Sequence, residues 1–258
     1  MNWSELTNRL QSLCDEHSEG LQLKITYGKQ SFSFHELNEV SSASIIKIPL
    51  VLAVMKRIQE DALQLEQRCT IDDTVKGAGV LAYLHHAHEF SLHDVMKLAI
   101  IVSDNSASNY LIELVGFEAV NDLAQQVGAP STVLLRNFMS LNRMRDNFTT
   151  AHDMVTWLKL IGEPNPYFTE ESRRHLYGML YDQQFNHLLG GQVDEFGDVK
   201  IASKSGDNTG IEHDVAIFSV GQHRLYVAVL TQNLPYAAPV ISAIGKACAD
   251  FLRSAAQA

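Results

Sequence analysis

No stretch of the 258-residue chain reaches the roughly 18 consecutive apolar residues that a membrane-crossing helix needs. The opening residues, Met1-Asn2-Trp3-Ser4-Glu5, lack the basic head and apolar middle of an export signal. Cysteine is scarce. Cys14, Cys69 and Cys248 are an odd number without pairwise metal spacing, so neither a disulfide framework nor a cysteine metal centre is expected, and each reads as a small buried hydrophobe. Together these features predict a cytoplasmic location. Positive charge is also short: 20 Lys and Arg face 30 Asp and Glu, a net charge of −10 that would be repelled by a nucleic-acid backbone or an anionic membrane. No internal repeat, linker or low-complexity tract is present. What remains is 46% hydrophobic and 19% charged, the balance of a folded globular protein with one large domain or two interleaved lobes. A small-molecule substrate is the expected partner, and a monomer and a homodimer are both compatible with the composition.

Apolar residues at helical spacing, Leu6, Leu10 and Leu13, predict an opening helix that Gly20 ends. Leu21–Tyr27 alternates like a strand, and Gly28 turns it into a second, Gln30–Phe34. From Ser44 to Leu189 the pattern is largely helical, with breaks at Gly77–Gly79, Gly116, Gly128–Pro130 and Gly162–Pro166. Strands return at Val199–Ser203, Ile211–Val220 and Leu225–Thr231, and a last helix covers about Ala238–Ala255. The predicted fold class is therefore α/β of the α+β kind: a mainly antiparallel five-stranded sheet flanked by the terminal helices, with an inserted all-helical lobe. Residues 1–40 and 195–258 form the sheet lobe, residues 41–194 the insert, and a cleft between them is the expected ligand site.

Three short motifs carry chemistry. In Ser44-Ile45-Ile46-Lys47, hydroxyl and amine stand three apart, which places them on one helix face. A hydroxyl needs a base before it attacks, and a lysine serves as one when burial or a second cation lowers its pKa. The apolar neighbours Ile45, Ile46, Ile48 and Leu50 supply the burial, and Pro49 suits a first helical turn, which puts Ser44 at the positive end of the dipole. Ser103-Asp104-Asn105 lies at a break between helices, where Ser103 or Asp104 also reads as an N-cap. Lys204-Ser205-Gly206 follows a strand. Lys204 adds the second cation, and Gly206 either eases a turn or lets a substrate backbone approach the strand edge.

Each motif alone is weak. The three in this order resemble the signature of class A β-lactamases and penicillin-binding serine hydrolases, and the resemblance extends over nearly the whole chain. Gly77-Ala78-Gly79-Val80-Leu81 is similar to the family's turn before S-D-N, and Thr149-Thr150-Ala151 with Met154 to the end of its omega loop. The resemblance implies a cofactor- and metal-free hydrolase of β-lactams or related amides and esters. Ser44 would be the nucleophile, Lys47 its base or proton relay, and Ser103 the proton donor to the leaving nitrogen. Asn105 would hold the substrate amide, Lys204 and Ser205 its carboxylate, and the N–H groups of Ser44 and Asp207 the oxyanion.

The departures from the family are specific. No glutamate stands between Gly128 and Thr149, where the family keeps its deacylating base; Asp146 is the only acid there, at the loop's closing end. Slow or altered deacylation is expected. No arginine lies between Arg174 and Arg224, so His213, if protonated, either supplies a carboxylate contact or forms a structural pair with Asp214. Asp207 replaces a small residue with an acid that disfavours anionic substrates. Tyr83 reads equally as an aromatic cleft wall or as core. His85, His86, His88 and His93 crowd together without a third ligand at fixed spacing, so no metal site is expected. Gly190-Gly191 reads as a turn, since no helix follows it. An esterase, a D-amino-acid peptidase and a non-catalytic β-lactam-binding module are the alternatives.

Overall fold

The computed structural model describes residues 1–140, 146–194 and 197–257. Helix α1 spans Trp3–Glu16 and begins with a reciprocal cap: the Asn2 side chain accepts from the Glu5 N–H, and the Glu5 carboxylate accepts from the Asn2 N–H. It buries Leu6, Leu10 and Cys14. Strands β1 (Leu21–Tyr27) and β2 (Gln30–Phe34) follow, then the two-residue β3 (Val40–Ser41) and a 3-10 turn, Ala43–Ile46, that runs into α2 (Lys47–Gln59). Short β4 (Arg68–Thr70) and β5 (Glu89–Ser91) pair with each other ahead of α3 (Leu92–Ile101) and α4 (Asn105–Val127). After β6 (Phe148–Thr149) come α5 (Ala151–Gly162) and α6 (Glu170–Tyr181). Then β7 (Lys200–Asn208), β8 (Ile211–Val220), β9 (His223–Thr231) and α7 (Ala237–Ala256) complete the chain.

The main sheet has the order β2-β1-β9-β8-β7 and every pairing in it is antiparallel. Its two central strands are apolar on both faces because both faces are covered. Ala216, Phe218, Leu225, Val227 and Val229 pack with α1 and α7, whereas Val215, Ile217, Tyr226, Ala228 and Leu230 pack with the helical segments. Trp157, on α5, is fully buried in that second core. Strand β7 is an edge, and the 3-10 turn that carries Ser44 lies against it.

The glycine breaks fall where expected. Gly116 interrupts α4 at φ 80°, and Gly128 caps it in the left-handed region, also at φ 80°. The helical reading of the middle does not extend to residues 60–91, 129–140 and 146–150. These form turns, short strands and a 3-10 turn, because their polar stretches, with Gly and His in the first, offer no continuous apolar face. His85, His86 and His88 lie exposed in the first of these segments rather than on a helix, and among the described residues no three metal-type ligands converge. None of the described helices is long and apolar enough to cross a membrane.

Candidate active site

The segment before Ser44 is held from three sides. The Ser41 hydroxyl donates to the Asp146 carboxylate, the Ser42 N–H donates to the Asn147 carbonyl, and the Ser41 carbonyl accepts from His213 Nε2 at 2.8 Å. Ala43 then takes a left-handed φ of 43°, which swings the chain into the 3-10 turn and sets Ser44 one residue further on.

Gly206 fits against this turn. A Cβ built there would stand 2.9 Å from the Ser44 nitrogen, 3.1 Å from the Ile45 nitrogen and 3.2 Å from the Ala43 Cβ. Gly206 therefore sits in mid-strand, paired with His213, and its missing side chain makes room for the protein's own backbone rather than for a turn. Gly206→Ala is expected to push the nucleophile's turn away by a few tenths of an ångström, since backbone cannot rotate clear as a side chain can. We expect a stability loss of about 1–3 kcal/mol by urea denaturation and an acylation rate reduced about 100-fold.

Lys47 opens α2 and is fully buried. Its ammonium donates to the Ser103 carbonyl at 2.6 Å, the Ser103 hydroxyl at 3.0 Å and Asn105 Oδ1 at 2.9 Å. All three N–H groups are thus directed to the S-D-N segment and none to Ser44. The Phe138 ring covers the same nitrogen, its centroid 4.3 Å away. Burial, and after it the charge of Lys204, hold Lys47 well below the ordinary lysine range, against Asp104 and Asp207. Lys204 is also fully buried, donates a hydrogen bond to the Ser205 carbonyl at 2.6 Å, and is pushed down to about 8 by burial.

The S-D-N segment owes its shape to Asp104. One carboxylate oxygen caps α4 through the Ala107 N–H; the other accepts from the Val80 and Leu81 N–H groups and ties down the Gly77–Gly79 loop. Gly79, at φ 105°, has no room for a Cβ because Asp104 lies against it. Asp104 is therefore the cap and loop staple, which leaves Ser103 and Asn105 to face Lys47. Ser103 pays with a left-handed φ of 54°, a conformation that costs a non-glycine residue about 1–2 kcal/mol.

Two expected contacts are corrected by the structure. His213 is fully buried and both ring nitrogens are engaged, Nδ1 accepting from the Thr231 N–H at 3.0 Å and Nε2 donating to Ser41, so it neither meets a substrate carboxylate nor pairs with Asp214. Asp214 accepts from the Leu189 N–H instead. Tyr83 is 58% exposed in a 3-10 turn, which rules out the core reading. Ser205 is buried at the strand edge next to Lys204, and Asp207 is exposed beyond it. Motif reading missed two residues. Arg136 clamps Asp146 through Nε at 3.0 Å and Nη2 at 2.7 Å, closing the loop that returns to Ser41. Burial acts to raise the Asp146 pKa, but hydrogen bonds from Ser41, the Asn147 N–H and Arg136 outweigh it and hold the carboxyl below its usual range. Phe138 is the second, fixed over Lys47 by Asn109, whose side chain bonds both its N–H and its carbonyl.

His213 and Asp214 are shifted in opposite directions by burial, the imidazole down to about 4 and the carboxyl up to about 7. Between pH 4 and 6.5 the unfolded chain holds an imidazole proton that the folded chain lacks, and the folded chain holds a carboxyl proton that the unfolded chain lacks. The two stability slopes, each at most about 1.4 kcal/mol per pH unit, cancel. His213→Gln should leave a stability that falls as pH rises through this window, and Asp214→Asn one that rises. Urea midpoints at about pH 4.5 and about pH 6.5 measure both against the parent.

Comparison with known proteins agrees with this architecture. A β-lactamase from Sphaerobacter thermophilus DSM 20745 is 29% identical and superposes with a TM-score of 0.89, covering 98% of this chain and 99% of that one. A mutant of PBP-A, solved as an acyl-enzyme complex with penicillin-G, is 22% identical with a TM-score of 0.85 and 98% of each chain covered. An ancestral class A β-lactamase is 20% identical with a TM-score of 0.84, over 95% of this chain and 99% of that one. Among curated protein sequences none matches this chain. Residues 5–252 match the model of the beta-lactamase enzyme family, and with a class A-type serine hydrolase fold the chain belongs to that family.

Proposed function

We propose that the chain is an acyl-transfer enzyme that forms an acyl-Ser44 intermediate with a β-lactam or a related amide or ester. The observation that carries this reading is a fully buried lysine with a depressed pKa, one helical turn from Ser44 and bonded to Ser103 and Asn105. Neutral Lys47 keeps two N–H donors for the Ser103 carbonyl and Asn105, and its lone pair accepts a proton. Ser44 attacks the carbonyl carbon as its proton passes to that amine. Ser103, 3.0 Å from the same nitrogen, relays the proton to the leaving nitrogen as the C–N bond breaks. The N–H groups of Ser44 and Asp207 stabilise the oxyanion, each donor worth about 3–4 kcal/mol. Asn105 holds the substrate amide, and Lys204 with Ser205 attracts its carboxylate.

Deacylation is the slow step in this reading. No glutamate lies between Gly128 and Thr149, and an aromatic ring rather than a carboxylate covers Lys47. Intact-protein mass after mixing with penicillin-G should show a stoichiometric adduct, mapped to Ser44, that persists for many minutes. Rapid substrate loss without an adduct would overturn slow deacylation.

Exposed Asp207 supports a second reading, an esterase or D-amino-acid peptidase on the same scaffold. Its charge sits where an anionic substrate would pass and favours a neutral or cationic one. Profiling penicillins, small esters and D-amino-acid peptides separates the two by kcat/KM. A protein that traps β-lactams without turning over any of these is a binding module.

A further inference from the structure

A large cavity lies at the end of the sheet where β8 turns into β9, the opposite end of β8 from His213 and the Ser44 turn. It has a volume of about 800 Å³ and is bounded by that hairpin, the C-terminus of α5 and the start of α6. Three guanidinium groups line it, those of Arg173, Arg174 and Arg224. Arg57, Arg68, Arg136 and Arg253 each have a carboxylate within ion-pair distance. Among the described residues no carboxylate comes that close to the three in the cavity.

Arg224 is held in place without one. Arg224 donates through Nη1 to the Gly162 carbonyl and lies 5.9 Å from the centre of the Tyr177 ring. That ring is held in turn by a 3.0 Å hydrogen bond between its hydroxyl and Ser219. Arg173 Nε is buried and makes no hydrogen bond, an unsatisfied donor of the kind a ligand oxygen completes. The buried Tyr226 hydroxyl, in the same wall, lies within electrostatic reach of Glu163, Arg224 and Arg173. Glu163 and Glu170 line the cavity as well, so cations exceed anions there by one (three arginines against two glutamates) in a chain whose net charge is −10. Glu163 stands 3.7 Å from Lys159, which offsets part of its charge.

We propose that this cavity is a binding site for a small oxyanion, a phosphate or carboxylate compound, with Arg173 as the central donor and Arg174 and Arg224 beside it. The site is separate from the acyl-transfer centre, and its test does not depend on that chemistry.

Thermal unfolding of the whole protein in inorganic phosphate, in succinate, and in sodium chloride of equal ionic strength tests the assignment. Phosphate or succinate should raise Tm with saturation, by about 5 °C at roughly fifty times the dissociation constant, while chloride does not. Whichever anion acts identifies the headgroup. The double variant Arg173→Met/Arg174→Met should lose the effect, and Glu163→Gln, which removes an opposing charge and keeps both arginines, should tighten binding several-fold by calorimetry. No saturable rise with either anion, or equal binding by the parent and all variants, overturns the proposal. If the double variant does not fold, the parent and Glu163→Gln titrations decide it.

Discussion

Alanine at position 44 should abolish the covalent adduct and cut lactam and ester turnover by roughly 10⁴-fold or more. Removing the nucleophile of a serine hydrolase removes a whole intermediate, and the other groups then act only on bound water. The change should leave folding almost untouched: the Ser44 hydroxyl takes no part in the hydrogen bonds that hold the site, which run through Ser41, Ser42, Lys47 and Asp104. Equal Tm with lost activity separates chemistry from packing. If a generic ester such as nitrophenyl acetate is cleaved equally by both proteins, Ser44 is not the nucleophile.

Replacing Lys47 with methionine should slow acylation about 10²- to 10⁴-fold, the range for a lost general base. Stability should change little, because two effects oppose. The Ser103 carbonyl and Asn105 Oδ1 lose their donor, at about 1–3 kcal/mol each, and the protein no longer buries an amine against its hydration. Lys204→Met tests the same electrostatics from outside. Acylation needs neutral Lys47, and the Lys204 charge helps to keep it neutral, so removing that charge should raise the Lys47 pKa and move the pH–rate profile to higher pH. An unmoved profile would show that the two amines do not act on one another.

The strands and terminal helices were legible because each carries a pattern with a physical cause. Leu21–Tyr27 and Gln30–Phe34 alternate around a glycine turn and form with the expected bounds. Lys200–Asn208 runs further than expected, because the polar run after Ser203 reads as a turn yet pairs in register with β8 as far as Asn208. The three motifs were legible as residue types, and the structure brings Lys47 to Ser103 and Asn105. Their division of labour was not. That Asp104 is a staple follows from where Val80 and Leu81 present their N–H groups, a tertiary fact. His213 reads from sequence as a titratable group near a site, but its strand position turns it inward, between Ser41 and Thr231. The missing glutamate was visible as an absence; the aromatic ring over Lys47 was not, since no local pattern marks it.

The pairing of β1 with β9 also bears on how this protein is made. Leu21 lies opposite Thr231, so the first hairpin waits for its partner until the whole helical middle and β9 have left the ribosome. Until then Leu21, Leu23 and Ile25 have neither β9 nor α7 to cover them, and the nascent chain carries a sticky ribbon open to chaperones or to neighbouring copies. Synthesis stalled before residue 223 should therefore yield an aggregation-prone product, however complete its helices.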